Sequence, residues 1–225
     1  MTEAVRAVHS MVDENVNLIF SQADERRLRG ARMPQVACKK GCDYCCNFRV
    51  KTSVPEVLTI ADRIRATFTE QERADLMRRI ESNLASFEGL SATQRLNKMM
   101  PCPLLVNHAC SVHAFRPIFC RSHHSVNVDA CKQGLIHPDK VQIPHFLEVD
   151  TVVEPIAAGI TEAMSSRHLK SHSVYLAPAL KIALNDPAAR DKWLSGQDVF
   201  ASAVDKGIEQ LIFLKTAKRL SSIEI

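Results

Sequence analysis

Eight cysteines fall in two groups: Cys38, Cys42, Cys45 and Cys46 lie within nine residues, and Cys102, Cys110, Cys120 and Cys131 follow. Thiolate sulfur binds soft and borderline metals. Zinc sites commonly use four cysteines, with short-spaced pairs supplying half of them, and iron–sulfur clusters need the same ligand type. A single CxxC would be weak evidence. Four thiols in one short run, with four more within 30 residues later on, point to zinc, iron or an iron–sulfur cluster. All eight cysteines are candidate ligands. They are enough for two four-thiolate sites, and the adjacent Cys45 and Cys46 suit that division because neighbouring ligands can serve different metals. One multi-thiolate site with spare cysteines fits equally well.

Charge and nitrogen donors add to the pattern. Four thiolates around one Zn²⁺ leave a net double negative charge. Lys39, Lys40, Arg116 and Arg121, close in sequence to candidate ligands, can offset it and favour the thiolate form. His108, between Cys102 and Cys110, is the best placed imidazole, with His113, His123 and His124 nearby. His9, His137, His145, His168 and His172 have no supporting pattern. Glu56 is better explained as a helix cap than as a ligand.

Composition bounds the rest. The chain has 225 residues, 46% hydrophobic and 24% charged, which is enough to bury a core without staples. A net charge of +4, with bases spread among acids and only 5% aromatics, does not indicate nucleic-acid binding. The first residues lack a basic stretch followed by an apolar core, and no apolar run reaches about 18 residues, so neither a signal peptide nor a membrane span is expected. The expected setting is cytoplasmic, where thiols stay reduced and clustered cysteines are ligands or redox groups. A four-disulfide framework is the competing explanation for an even cysteine count.

The elements that must position these thiols read as helices. Val5, Val8, Val12, Val16, Ile19 and Ala23 form one stripe over residues 2–29, with Thr2 as N-cap and Gly30 after a basic last turn. Residues 38–46 are either helical, placing the thiols at roughly 0°, 40°, 340° and 80°, or a knuckle-type turn at Gly41. Phe48–Thr52 reads as a short extended exit. Ser53-Val-Pro-Glu56, Thr69-Glu-Gln-Glu72 and Ser91-Ala-Thr-Gln94 are capping boxes that open three helices. Residues 101–148 read as an irregular segment wrapped onto the cysteine site. Helix resumes after Asp150, with Pro155 limiting its start. It returns over Tyr175–Leu184, and again from Val199 through Ile212, weakened by Gly207. The expected fold is mainly α. It is a single domain over 1–225, in which a metal-binding region at 38–131 is flanked by helices within 1–30 and 150–225.

At these residues the chain resembles a known group. Cys38-x-x-x-Cys42-x-x-Cys45-Cys46, then Cys102-Pro-Leu-Leu, Cys110-Ser-Val-His and Arg116-Pro-Ile-Phe-Cys120-Arg121, resemble the YkgJ-type cysteine-cluster proteins. That family usually has Tyr where His113 stands. The resemblance covers about residues 38–131, carries Cys131 over least securely, and implies zinc or iron chelation without implying a reaction. Three other readings compete. Cys38-x-x-x-Cys42-x-x-Cys45 also matches the cluster motif of radical-SAM enzymes, but those need repeated strand–helix units. An iron–sulfur redox protein or enzyme would use the same thiols, and so would a metal carrier or sensor with an exchangeable site. The partner expected in each case is a metal ion.

Overall fold

In the computed structural model, residues 1–221 are described. Helix α1 (Thr2–Leu28) buries Val5, His9, Val12, Val16 and Ala23 along one stripe. Its N-cap is Met1 rather than Thr2, which is already helical, and no side chain caps it. The three capping boxes form as expected, ahead of α2 (Val54–Thr67), α3 (Glu70–Ala85) and α4 (Ala92–Asn97). In all three the Glu or Gln side chain reaches back to the cap N–H; ahead of α3 and α4 the Thr69 or Ser91 oxygen also accepts from the N3 backbone, whereas the Ser53 hydroxyl donates to the Glu56 carboxylate.

Two apolar clusters hold these elements. In the first, α2 and α3 pack on α8 (Leu176–Asn185) and α9 (Ala189–Leu194) through Ile60, Ile64, Leu76, Ile80, Leu180 and Trp193. In the second, α1 packs on α5 (Ile118–Ser122) and α7 (Leu147–Ser165) through Val12, Val16, Ile118, Phe146, Val149 and Val153. Helix α2 joins the two, touching both α1 and α8. Its stripe is wide because Val54, Val57, Leu58, Ile60, Ala61 and Ile64 are all buried.

Sheet is scarce, and the class is mainly α, with 61% helix. Strand β1 (Lys51–Thr52) pairs antiparallel with β4 (Val174–Tyr175), in the register Lys51↔Tyr175 and Thr52↔Val174. Strands β2 (Leu105–Val106) and β3 (Ala109–Cys110) form a hairpin. Among the described residues these are the only sheets, so the repeated strand–helix units of a radical-SAM barrel are not present.

Four expectations need correction. Residues 101–148 are not simply irregular: they hold the β2–β3 hairpin, α5, and α6 (Val128–Ile136), whose Asn127 cap accepts from the Asp129 and Ala130 N–H groups. Short elements of this kind carry too few periodic apolar residues to read as helix. The helix expected after Asp150 starts earlier, at Leu147, with Pro155 inside it. The helix expected from Tyr175 starts one residue later, because Val174–Tyr175 is strand. The last helix, α10 (Lys206–Ser221), begins after Val199, Ala203 and Val204, which lie in the turn region before it. The end of the expected 150–225 flanking region, residues 222–225, lies outside the described residues.

Candidate metal centre

The first cysteine run is a turn, not a helix. Gly41 sits at φ +86°, a left-handed conformation that favours glycine, and the Cys42 N–H closes the reversal on the Lys39 carbonyl at 3.0 Å. A 3-10 turn over Tyr44–Asn47 then carries Cys45 and Cys46, with the Cys46 N–H bonded to the Asp43 carbonyl at 2.9 Å. The second run is stitched to the first by backbone. The Cys102 N–H donates to the Cys46 carbonyl at 2.7 Å, and the Met100 N–H to the Asn47 carbonyl at 2.9 Å. The β2–β3 hairpin sets Cys110 opposite Leu105, and α5 carries Cys120. Ala37 N–H donates to the Ser125 carbonyl at 2.8 Å, holding the start of the first run against the segment leading into α6.

The outcome is convergence. Cys38, Cys42, Cys45, Cys46, Cys102, Cys110 and Cys120 line one cavity of about 1450 Å³. Cys131 does not line it. It is 6% exposed on α6, near enough to Cys38 to contribute to the rise in the Cys38 pKa. All eight cysteines carry free thiols. The sulfurs stand around the cavity rather than at a point: among the described residues, no three His, Cys, Asp or Glu donors are gathered tightly enough to hold one ion.

Burial sets the electrostatics. It pushes the Cys102 thiol up to about 11 and raises Cys38, Cys110 and Cys120 as well. Cys45 is raised first by a hydrogen bond with the neighbouring Cys46 thiol and then by burial. Arg116, on the cavity wall, opposes the rise at Cys45 and Cys110. With no cation present these thiols stay protonated at neutral pH. A soft cation is the partner that would draw them into the thiolate form, releasing protons as it binds. The chemistry of the donors suits such an ion: abundant sulfur and basic side chains share one cavity, and Lys39 and Lys40 also lie on its wall.

The expected roles of nearby residues divide. His108, His113, His123 and His124 all line the cavity, whereas His9, His137, His145, His168 and His172 do not. Burial lowers the pKa of His113, His123 and His124, keeping those rings neutral at pH 7. Among the described residues, His123 Nε2 and Arg116 Nε are buried without a hydrogen-bond partner. Arg121 does not serve as a free counter-charge. It is 5% exposed, ion-paired to Asp13, and donates to the carbonyls of Arg116 and Ala114. Glu56 is the cap expected of it and more. Its carboxylate accepts from the Ser53 N–H at 3.0 Å, Thr52 Oγ1 at 2.9 Å, the Ile118 N–H at 2.7 Å and His9 Nε2 at 3.1 Å. Through Ile118 it sets the start of the helix that carries Cys120.

Two features went unread in the sequence. Asp205 binds Arg95 through both carboxylate oxygens at 2.8 Å and Arg49 at 3.0 Å, tying the exit of the first cysteine run to the start of α10. Nothing in residues 156 positions apart signals that pairing. Asp43, by contrast, lies inside the cysteine run, and its position between Cys42 and Cys45 was a usable sign. Its carboxylate meets His108 Nδ1 at 2.7 Å.

With this geometry in view, the comparison with protein families is direct: residues 37–142 match the family model CxxCxxCC, described as a putative zinc- or iron-chelating domain. Over that segment, a little under half of the chain, the sequence is similar to the CxxCxxCC family. The match covers both cysteine groups and the hairpin and helices between them. The spacing from Cys38 to Cys42 is one residue longer than the family's name would give. No curated protein and no solved structure matches the chain.

Proposed function

We propose that this protein chelates zinc or iron through thiolates drawn from both cysteine runs. The observation that carries the reading is that seven cysteines, from segments about 60 residues apart in sequence, line one cavity whose two sides are joined by the Cys102–Cys46 backbone bond. The CxxCxxCC match over the same residues supports it. Cys38, Cys42, Cys45, Cys46, Cys102, Cys110 and Cys120 are the proposed ligands, with Cys131 beside Cys38 as the outlying member. When bound, the metal would cross-link the two runs and hold the thiols ionised. The chain's own part is to present the sulfurs, exclude bulk water from those that are buried, and set Arg116, Lys39 and Lys40 against the accumulating negative charge. The 38–131 region and its flanking helices form a single domain in this reading, and a cytoplasmic setting suits eight free thiols.

Elemental analysis with visible and Mössbauer spectra on anaerobically purified protein tests it. Zinc or iron should be present in whole-number stoichiometry, and a serine in place of Cys42 or Cys102 should lower it. Colourless, zinc-loaded protein removes the iron–sulfur reading. Folded, reduced protein that retains neither metal and takes up neither overturns the proposal.

A further inference from the structure

The hairpin between Cys102 and Cys110 contains a residue choice that folding alone does not explain. Val106 pairs with Ala109, so the loop is two residues long, Asn107-His108. Both sit at positive φ, +49° and +60°. Such a turn favours Asn at its first position and Gly at its second. Asn107 meets that preference, and His108 stands where glycine would be least strained. The imidazole is not there for packing either, because its side chain is 83% exposed.

The ring is nevertheless oriented. His108 Nδ1 lies 2.7 Å from Asp43 Oδ2, and that Asp43 side chain is 20% exposed, between Cys42 and Tyr44 in the first run. A carboxylate only accepts, so Nδ1 carries the hydrogen and a neutral ring leaves its lone pair on Nε2. Among the described residues Nε2 has no partner, and His108 lines the cavity shared by seven cysteines. A carboxylate fixing one imidazole nitrogen so that the other can bind metal is the usual second layer of a metal site.

We propose that His108 supplies a nitrogen ligand, through Nε2, to the metal held by the cysteines, and that Asp43 is the carboxylate that aims it. The inference rests on the metal-binding reading above and adds to it a mixed sulfur–nitrogen ligand set with its imidazole at the cavity's exposed edge. In a zinc-loaded chain this means sulfur at about 2.3 Å together with nitrogen at about 2.0–2.1 Å.

The test uses the full-length protein, Zn²⁺ as the probe, and two variants, His108→Gly and Asp43→Asn. Glycine suits the turn, so His108→Gly should raise the melting temperature of the metal-free protein. In the zinc-loaded protein it should lose the short nitrogen shell in X-ray absorption and weaken zinc binding by more than tenfold. Asp43→Asn should keep that shell and weaken zinc binding by about 10- to 100-fold, as second-layer changes do. A purely structural turn predicts the higher melting temperature with the shell and affinity unchanged, and that result overturns the assignment. An all-sulfur shell in the unaltered chain also overturns it while leaving the metal-binding reading intact. Failure of the unaltered chain to bind zinc or iron removes both.

Discussion

Glu56 illustrates how much one buried carboxylate can organise. It is 3% exposed and lies beside His9 and Arg121, themselves 4% and 5% exposed. Arg121 can only donate, and it reaches His9 Nδ1 at 3.3 Å, so His9 Nε2–H is left to donate to Glu56. Burial pushes the Glu56 carboxyl up, but the hydrogen bonds from His9, Ser53 and Ile118 together outweigh it and hold the pKa below its ordinary 4.5. The sign of the linkage follows. The stabilisation is fully present above the unfolded value and is lost as pH falls through the depressed folded one. Asp205, held well down mainly by its hydrogen bond from Arg95, has the same sign. Thermal unfolding of the metal-free protein should therefore show a plateau of stability above about pH 5 and a decline below it. Glu56→Gln should flatten that decline. Glu56→Ala should destabilise by about 3 kcal/mol, since it leaves the buried His9 ring and the Thr52, Ser53 and Ile118 donors without their acceptor; urea unfolding measures this.

Among the elements, the helix starts are the most local in origin and the most predictable in effect. Thr69 Oγ1 accepts from the Glu72 N–H at 3.2 Å, and Glu72 returns the bond to the Thr69 N–H at 2.7 Å. Thr69→Ala should destabilise by about 1 kcal/mol, read as a lowered urea midpoint with unchanged slope. Helix α7 carries the opposite kind of local term. Pro155 lies beyond the first turn and is exposed, so it removes one backbone bond without filling core. Pro155→Ala should raise stability, by about 1–3 kcal/mol, provided the helix accepts a straighter path; the melting temperature gives the sign. Elements α5 and α6 belong to another category. Each is short and has little intrinsic stability. They are held by what they touch: α5 by α1 and α7, α6 by the 3-10 turn of the first cysteine run.

At the scale of the whole molecule, metal removal should act unevenly. The cluster around α2, α3 and α8 is built mainly from fully buried aliphatic side chains and meets the thiols only at its margin, where Cys102 and Cys110 pack against it. Segment 101–131 has mainly backbone stitches, two-residue strands and short helices. Hydrogen exchange on chelated protein should therefore speed up in 101–131 and leave α2 and α8 protected, and Cys42→Ser should reproduce that pattern in part. Uniform loosening of both regions would show that the helical core depends on the metal. The raised thiols give the pH dependence. Each thiol deprotonated on binding competes with protons, so zinc affinity should rise with pH, with a slope equal to the number of protons displaced, readable by calorimetry in buffers of different ionisation enthalpy.

Much of this was legible in the chain itself because it depends on neighbours in sequence: the capping boxes at Ser53, Thr69 and Ser91, the stripe of α1, the turn at Gly41, and the presence of a thiol-rich region at all. Short-range patterns carry their own physical cause, a cap bond or a helical period, and need no knowledge of distant partners. Tertiary structure decided the rest. That Cys102 docks on Cys46, that Asp205 lies between Arg49 and Arg95, that Arg121 is buried beneath the cysteine site rather than free to neutralise it, and that Asp43 meets His108 are all contacts between residues tens of positions apart. Their energy exists only once the packed cores of α1, α2, α7 and α8 have fixed where the loops begin and end.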